Sequence, residues 1–200
     1  MARKKLCPYH NRQLFTILYR YPIRAKSDAR LTLQEAIIEL DRSCGPTYKV
    51  KSIQADFGEE FQSDELATWC KLQGIKHKPT VPYHHESNAT IERLNRTLQD
   101  MARTAMIAAQ MKGMWGDAIQ WATYTKNRIP HKALSLEGHQ RTPYEVLYQQ
   151  QTDRNNLRPF GQKVAAYMYE EQRKKSKDPR WEPRTQEVRI LGYTNTHGVY

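Results

Sequence analysis

Two hydrophobic rhythms alternate along the chain, and the changes of rhythm mark its elements. LFTILYRYPI, Leu14 to Ile23, is dense in β-branched and aromatic residues and predicts a strand. A helical period follows over Ser27 to Leu40, with Leu33, Ile37 and Leu40 on one face. Ser27 or Asp28 is placed to cap that helix, and Cys44-Gly45-Pro46 to end it. TYKVKSIQAD, Thr47 to Asp56, predicts a second strand, followed by a turn through Gly58. Ser63 to Gly74 predicts a short helix: Ser63 caps it, Asp64 and Glu65 favour its positive end, and Gly74 stops it. IKHKPTV then predicts a short extended piece. From Asn88 to Gln110, Ile91, Leu94, Leu98, Met101, Ala105 and Ala108 recur at steps of three and four, the core stripe of a long helix. Helices are also expected over Trp115 to Asn127, with Trp69, Trp115 and Trp121 packing in the core, and from Thr142-Pro143, a cap followed by proline in the first turn. QKVAAYMYEEQ and QEVRILGYTNT predict strands on either side of the charged stretch RKKSKDPRWEPR. Strands alternating with helices predict an α/β layer fold, and the change of character after Leu157 predicts a small β module.

Composition narrows the partners. The 200 residues include 32 Lys+Arg against 21 Asp+Glu, a formal net charge of +11, which favours an anionic partner and nucleic acid first. A membrane is not expected, because no long apolar run and no basic helix with a clean apolar face is present. The three cysteines, Cys7, Cys44 and Cys70, are odd in number and widely spaced, which argues against a disulfide framework and a zinc site. Residues 1–27 carry seven Lys/Arg, no acid and no apolar core of a secretory signal. The expected setting is intracellular, nucleus or cytoplasm, and not secreted.

Two carboxylates stand out by context. Asp56 ends a strand and meets the turn Phe57-Gly58, the place where sites form in open α/β sheets. Glu92 lies near a helix start, with Arg93 and Arg96 beside it, and thirty-five residues separate the two acids. Taken alone, each has an ordinary reading: Asp56 as a turn residue, Glu92 as a partner of the helix dipole.

QADFGEEF matches the D-x-G-x-E-F signature of retroelement integrases, and PYHHESNATIERLNRTL resembles their P-Y-x-P-x-x-N-G-x-x-E-R-x-N-R-T-L segment. The spacing of the acids is similar to that of the retroviral-type integrase core. MARTAMIAAQMKGMWGDAIQWATYTKNRIPHKAL, RTPYEVLY, LRPFGQKVAAYM and ILGYTNTHG extend the likeness, which looks like a copia-type retrotransposon Pol polyprotein from Lys26 onward. The resemblance implies a ribonuclease H-like integrase core, a mixed sheet flanked by helices, over residues 1–150. A partial SH3-like β module over residues 157–200 follows it. It implies DNA integration by polynucleotidyl transfer on DNA ends, with DNA (or RNA) as partner, homo-oligomers on DNA, and no small-molecule substrate. Three carboxylates of the family hold two Mg²⁺ (or Mn²⁺) ions about 4 Å apart, which clamp the attacking and leaving oxygens. Magnesium takes oxygen ligands, so Asp and Glu suit it. By resemblance, Asp56 is the second ligand and Glu92 the third.

The pattern breaks at the first acid. LFTILYRYPIRAKSD stands where the family carries D-x-x-S-R-Y, and the aspartate positions fall near Thr16 and Ile17; the first acid of the chain is Asp28. Ala89 occupies the usual glycine of N-G, and Glu86 replaces a glutamine. The upstream zinc-binding segment has no counterpart, and the chain stops at Tyr200 inside the β module, which together read as a decayed or clipped element. Impaired catalysis is therefore expected, the alternative being a non-catalytic nucleic-acid-binding remnant of a transposable element. Lys76 and Lys78 flank His77, and alternation puts both on one face, open to phosphate contact or plain solvation. His84 is a loop side chain that either touches DNA or is solvated. Arg93 and Arg96 are read as DNA-backbone contacts, or for Arg96 as an intrahelical partner of Glu92 worth about 0.2–0.5 kcal/mol. RKKSK, Arg173 to Lys177, is either a nucleic-acid or import patch or a solvated loop.

Overall fold

The computed structural model describes residues 17–21, 23, 25–44, 49–55, 61–79, 85–134, 140–169 and 183–193, with the backbone alone at 79, 85–90 and 133. The chain divides into two compact units, one of residues 1–93 and 127–152, the other of residues 94–126 and 153–200.

The first unit is built on a β–α–β crossover. Strand β1 (Ser52–Ala55) runs parallel to β2 (Lys76–Pro79), in the register Ser52 to Lys76 and Ile53 to His77. Parallel neighbours need a crossover, and helix α2 (Asp64–Leu72) supplies it. The ends of α2 follow from the sequence. Ser63 Oγ accepts from the Leu66 N–H at 3.3 Å, and Asp64 and Glu65 sit in the first turn. At the other end Gly74 adopts φ +70°, its N–H reaching Lys71 O (3.1 Å) while the Ile75 N–H reaches Cys70 O (2.8 Å). This paired closure leaves Ile75 buried directly after the helix. Helix α1 (Ala29–Ser43) buries Ala36 and Ile37, and the core joins Ile37, Ile53, Leu66, Cys70 and Ile75, with Leu33, Val50, Phe61 and Trp69 packed against it. The first unit is thus α/β.

Three expectations change here. Residues 17–21 carry no strand ladder. Instead the Asn127 side chain takes a neighbouring strand's place: its Oδ1 accepts from the Leu18 N–H at 2.9 Å and its Nδ2 donates to Leu18 O at 2.6 Å. Asp28 does not cap α1 with its side chain; its carboxylate accepts from the Ala25 N–H and the Ser27 hydroxyl, closing the turn before the helix. The strand expected from Thr47 is confined to β1 among the described residues. Helix α5 (Pro143–Tyr148) has the expected cap. Thr142 Oγ1 accepts from the Glu145 N–H, and Glu145 returns a carboxylate to the Thr142 N–H and holds the Thr152 N–H with its other oxygen.

Helix α3 (His85–Ala108) begins in the first unit and continues into the second, starting three residues earlier than its periodicity predicts. Leu98 and Ala102 form its buried line, but Ile91 is 56% exposed, so the stripe is covered only along part of the helix. Helix α4 (Trp115–Arg128) belongs to the second unit as far as Lys126 and buries Ala118, Ile119 and Ala122. Trp115 is 42% exposed rather than core; Trp121 donates its indole N–H to Arg158 O at 2.9 Å and meets Phe160 edge to face. Strands β3 (Lys163–Tyr167) and β4 (Thr185–Arg189) pair antiparallel, Lys163 opposite Arg189 and Tyr167 opposite Thr185. Arg189 Nη1 donates to Ala109 O at 3.0 Å, at the carbonyl-rich end of α3, where a cation is favoured. Among the described residues no helix is long and apolar enough to cross a membrane.

Candidate metal and nucleic-acid site

Strand β1 ends at Ala55, so Asp56 is the next residue at the carboxyl end of a parallel pair; its own placement lies outside the described residues, as do His84, the turn Phe57-Gly58 and the run RKKSK. Glu92 is described. It stands two turns into α3 with its carboxylate exposed, and Arg93 and Arg96 are exposed on the same helix. Neither Glu92 nor Arg96 joins an ion pair of the kind formed by Arg30–Glu65 (2.8 Å), Arg103–Asp100 (3.1 Å) and Lys163–Glu187 (2.8 Å). The intrahelical pair anticipated between Glu92 and Arg96 is therefore not formed.

Lys76 and Lys78 lie on β2 and are both exposed, while His77 between them is half-buried. The alternation follows from the register, since His77 pairs with the buried Ile53 and shares its side of the sheet. Among the described residues no group of three or more His, Cys, Asp and Glu could hold a metal ion, and Asp56 is not among those residues. Of the two acids, the described one, Glu92, offers carboxylate oxygens on a long helix, the donor type that a hard divalent cation takes.

Two features were not anticipated. A groove of about 780 Å³ in the second unit is lined by Met101, Ala105, Trp121, Thr125 and Phe160 among others. The Thr125 hydroxyl is buried there without a hydrogen-bond partner. In the first unit the Tyr19 and Tyr148 hydroxyls meet at 2.6 Å, and burial raises both phenols above their ordinary range. The sequence signal for the tyrosines is weak, because their partners lie 129 residues apart.

Comparison with known proteins supplies the relationship. The retrovirus-related Pol polyprotein from transposon TNT 1-94 of Nicotiana tabacum is 32% identical over 162 residues, which is 80% of this chain and 12% of that polyprotein. The chain is a homologue of retroelement Pol polyproteins. Other relatives of this Pol homologue include the Pol polyprotein of equine infectious anemia virus (strain Wyoming), 33% identical over 56% of the chain. The truncated transposon Ty1-A Gag-Pol polyprotein of Saccharomyces cerevisiae is 29% identical over 56% of the chain. The chain spans 9% of each of these two, so it corresponds to a small part of every relative named. A match covering 80% of 200 residues necessarily includes positions 56 and 92. No protein-family model matches the chain. Among solved structures, the catalytic core domain of BIV integrase is 22% identical, covering 64% of this chain and 74% of that one at a TM-score of 0.44. The simian T-cell lymphotropic virus intasome in complex with PP2A regulatory subunit B56 gamma is 21% identical, covering 82% of this chain and 55% of that one at 0.47. At these scores neither likeness assigns the fold.

Proposed function

We propose that the chain is the integrase-type portion of a retroelement Pol polyprotein, acting on DNA ends by metal-dependent polynucleotidyl transfer. One observation carries the reading: the stretch homologous to Pol polyproteins contains an acid directly after a parallel strand and an exposed acid on a long helix, Asp56 and Glu92. In this reading the core is ribonuclease H-like over residues 1–150, with an SH3-like module over 157–200, and the protein works in the nucleus or cytoplasm as a homo-oligomer on DNA. Asp56 and Glu92 would hold Mg²⁺ or Mn²⁺; a bound divalent ion activates water or a 3′-hydroxyl and offsets charge on the phosphodiester. Helix α3 keeps the Glu92 carboxylate from swinging, because a helix-borne side chain moves only through its own rotamers. Arg93, Arg96, Lys76, Lys78 and His84 meet the DNA backbone, the arginines offering forked donors to phosphate oxygens.

The missing acid before Asp28 sets the level of activity. With two of three carboxylates the reading gives weak or absent catalysis. It is tested by a strand-transfer assay in Mg²⁺ or Mn²⁺ with Glu92→Gln alongside. Robust transfer that the substitution abolishes would mean another group supplies the third ligand; transfer indifferent to the substitution would refute the role of Glu92. The same absent acid favours a second reading, a DNA-binding remnant without catalysis. Its binding falls linearly in log affinity with log salt, and Asp56→Asn leaves it intact or tighter. Weakened binding in that variant counts against it.

A further inference from the structure

The two strands of the first unit turn one wholly polar side outward. Ser52 and Gln54 on β1 and Lys76 and Lys78 on β2 are all exposed, while Ile53 is buried and His77 half-buried on the other side. The parallel register sets Ser52 beside Lys76 and Gln54 beside Lys78. At the spacings of a β-ladder the two lysines stand about 6.6 Å apart along β2, and each has a neutral polar neighbour about 4.8 Å away on β1. Lys49 and Lys51, both exposed, lead into β1, so residues 49–55 and 76–79 hold four lysines and no acid. Among the described residues neither Lys76 nor Lys78 has an ion-pair partner, and the side chains of Ser52 and Gln54 make no hydrogen bond. We infer that this face is a track for the backbone of one DNA strand, on which Lys76 and Lys78 meet phosphates and Ser52 and Gln54 donate hydrogen bonds to the phosphate and sugar oxygens beside them.

Charge and spacing favour that occupant. A nucleic-acid backbone carries one negative charge per nucleotide at a regular interval, with an uncharged sugar between charges. The outward face repeats in the same way, a cation beside a neutral hydrogen-bonding group and then a second such pair two residues on. Lysine meets phosphate as a point charge, and serine and glutamine side chains are ordinary partners of phosphate and sugar oxygens. The track also has a direction. Because β1 and β2 are parallel their carboxyl ends coincide, and Gln54 precedes Asp56 by two residues. The end formed by Gln54 and Lys78 is therefore the one that leads toward the strand end where that acid follows.

The inference rests on the DNA-directed function proposed above and adds to it the face that guides the strand and two contacts, Ser52 and Gln54. The test uses the full chain and fluorescence anisotropy on a labelled blunt DNA duplex of about 20 base pairs across a salt series. Lys76→Gln and Lys78→Gln should each reduce the slope of log affinity against log salt by about 0.9, since each removes one phosphate contact. Gln54→Ala should weaken binding about two- to tenfold with the slope unchanged, and Gln54→Glu should weaken it further. Lys112→Gln removes an exposed lysine of the second unit and should keep the parent slope. Poly-glutamate at matched charge should leave the duplex bound. Variants of Lys76 and Lys78 with the parent slope overturn the track alone, leaving DNA binding elsewhere, as does an equal drop in the Lys112 variant. Displacement of the duplex by poly-glutamate also overturns it, in favour of an acidic protein partner on this face. A parent protein that binds no duplex at low salt overturns the DNA-directed function as well.

Discussion

Replacing Asn127 by leucine removes the group that closes the N-terminal segment onto the first unit. Asn127 is 7% exposed, and its amide makes both hydrogen bonds of the Leu18 peptide groups, at 2.9 and 2.6 Å. Leucine has the same branched outline and offers neither partner. Each bond contributes about 0.5–1.5 kcal/mol net, and a buried group left without a partner costs about 1–3 kcal/mol. Leu18 is half-buried, so water repairs part of the loss, and the sum comes to about 2–4 kcal/mol. That is a large part of the 5–15 kcal/mol typical of a domain. In urea unfolding followed by far-ultraviolet circular dichroism, a slope of about 2 kcal/mol per molar turns it into a midpoint lower by about 1–2 M. Asn127→Asp keeps an acceptor for the Leu18 N–H and loses the donor, so it should fall between the two. A midpoint within about 0.3 M of the parent for Asn127→Leu would refute the reasoning, because less than 1 kcal/mol would then rest on the pair.

Three further substitutions test the packing. Gly161 has φ +72°, and a Cβ there would lie 2.4 Å from Ala109 Cβ and 3.0 Å from Met111 Sδ; Gly161→Ala should cost about 2–4 kcal/mol, read by the same urea midpoint. Thr125→Val deletes a buried hydroxyl without a partner and should be neutral or stabilising by up to about 1–2 kcal/mol; a drop in thermal midpoint would mean that the hydroxyl is satisfied. Burial raises the Tyr19 phenol in the folded protein above the ordinary 10.0, so the folded state holds its proton longer than the unfolded one. The stability this contributes is present below pH 10 and is lost as pH rises beyond it; Tyr19→Phe should flatten the alkaline limb of the stability profile.

Punctuation was the most legible part of the fold. Ser63 and Gly74 bracket α2, and Thr142-Pro143 opens α5, because a cap and a left-handed stop are decided by a few neighbouring residues. Burial was less legible. The stripe of α3 predicts one apolar face over its whole length, yet Ile91 is exposed and Leu98 buried on the same period, since periodicity gives direction and only packing gives cover. The segment at Leu18 shows the limit of composition. Its β-branched and aromatic residues favour an extended chain, and the group that hydrogen-bonds it is a side chain 109 residues away.

The candidate site divides along the same line. The spacing of Asp56 and Glu92 has a mechanical origin that the sequence carries in full. A strand that must lie parallel to its neighbour cannot turn back directly; it needs a crossover, here α2, and the register sets Ser52 beside Lys76. The chain then leaves β2 and enters α3 at His85, and Glu92 follows after two turns. Thirty-five intervening residues are what this path consumes, so the interval reports the crossover first and the chemistry only through it. Glu92 is an exposed helix carboxylate that forms no ion pair with Arg96, and under the proposed function it and Asp56 would serve as oxygen donors to a divalent ion. Under that reading the strand that would carry the family's first acid is the segment around Leu18, which the Asn127 side chain holds.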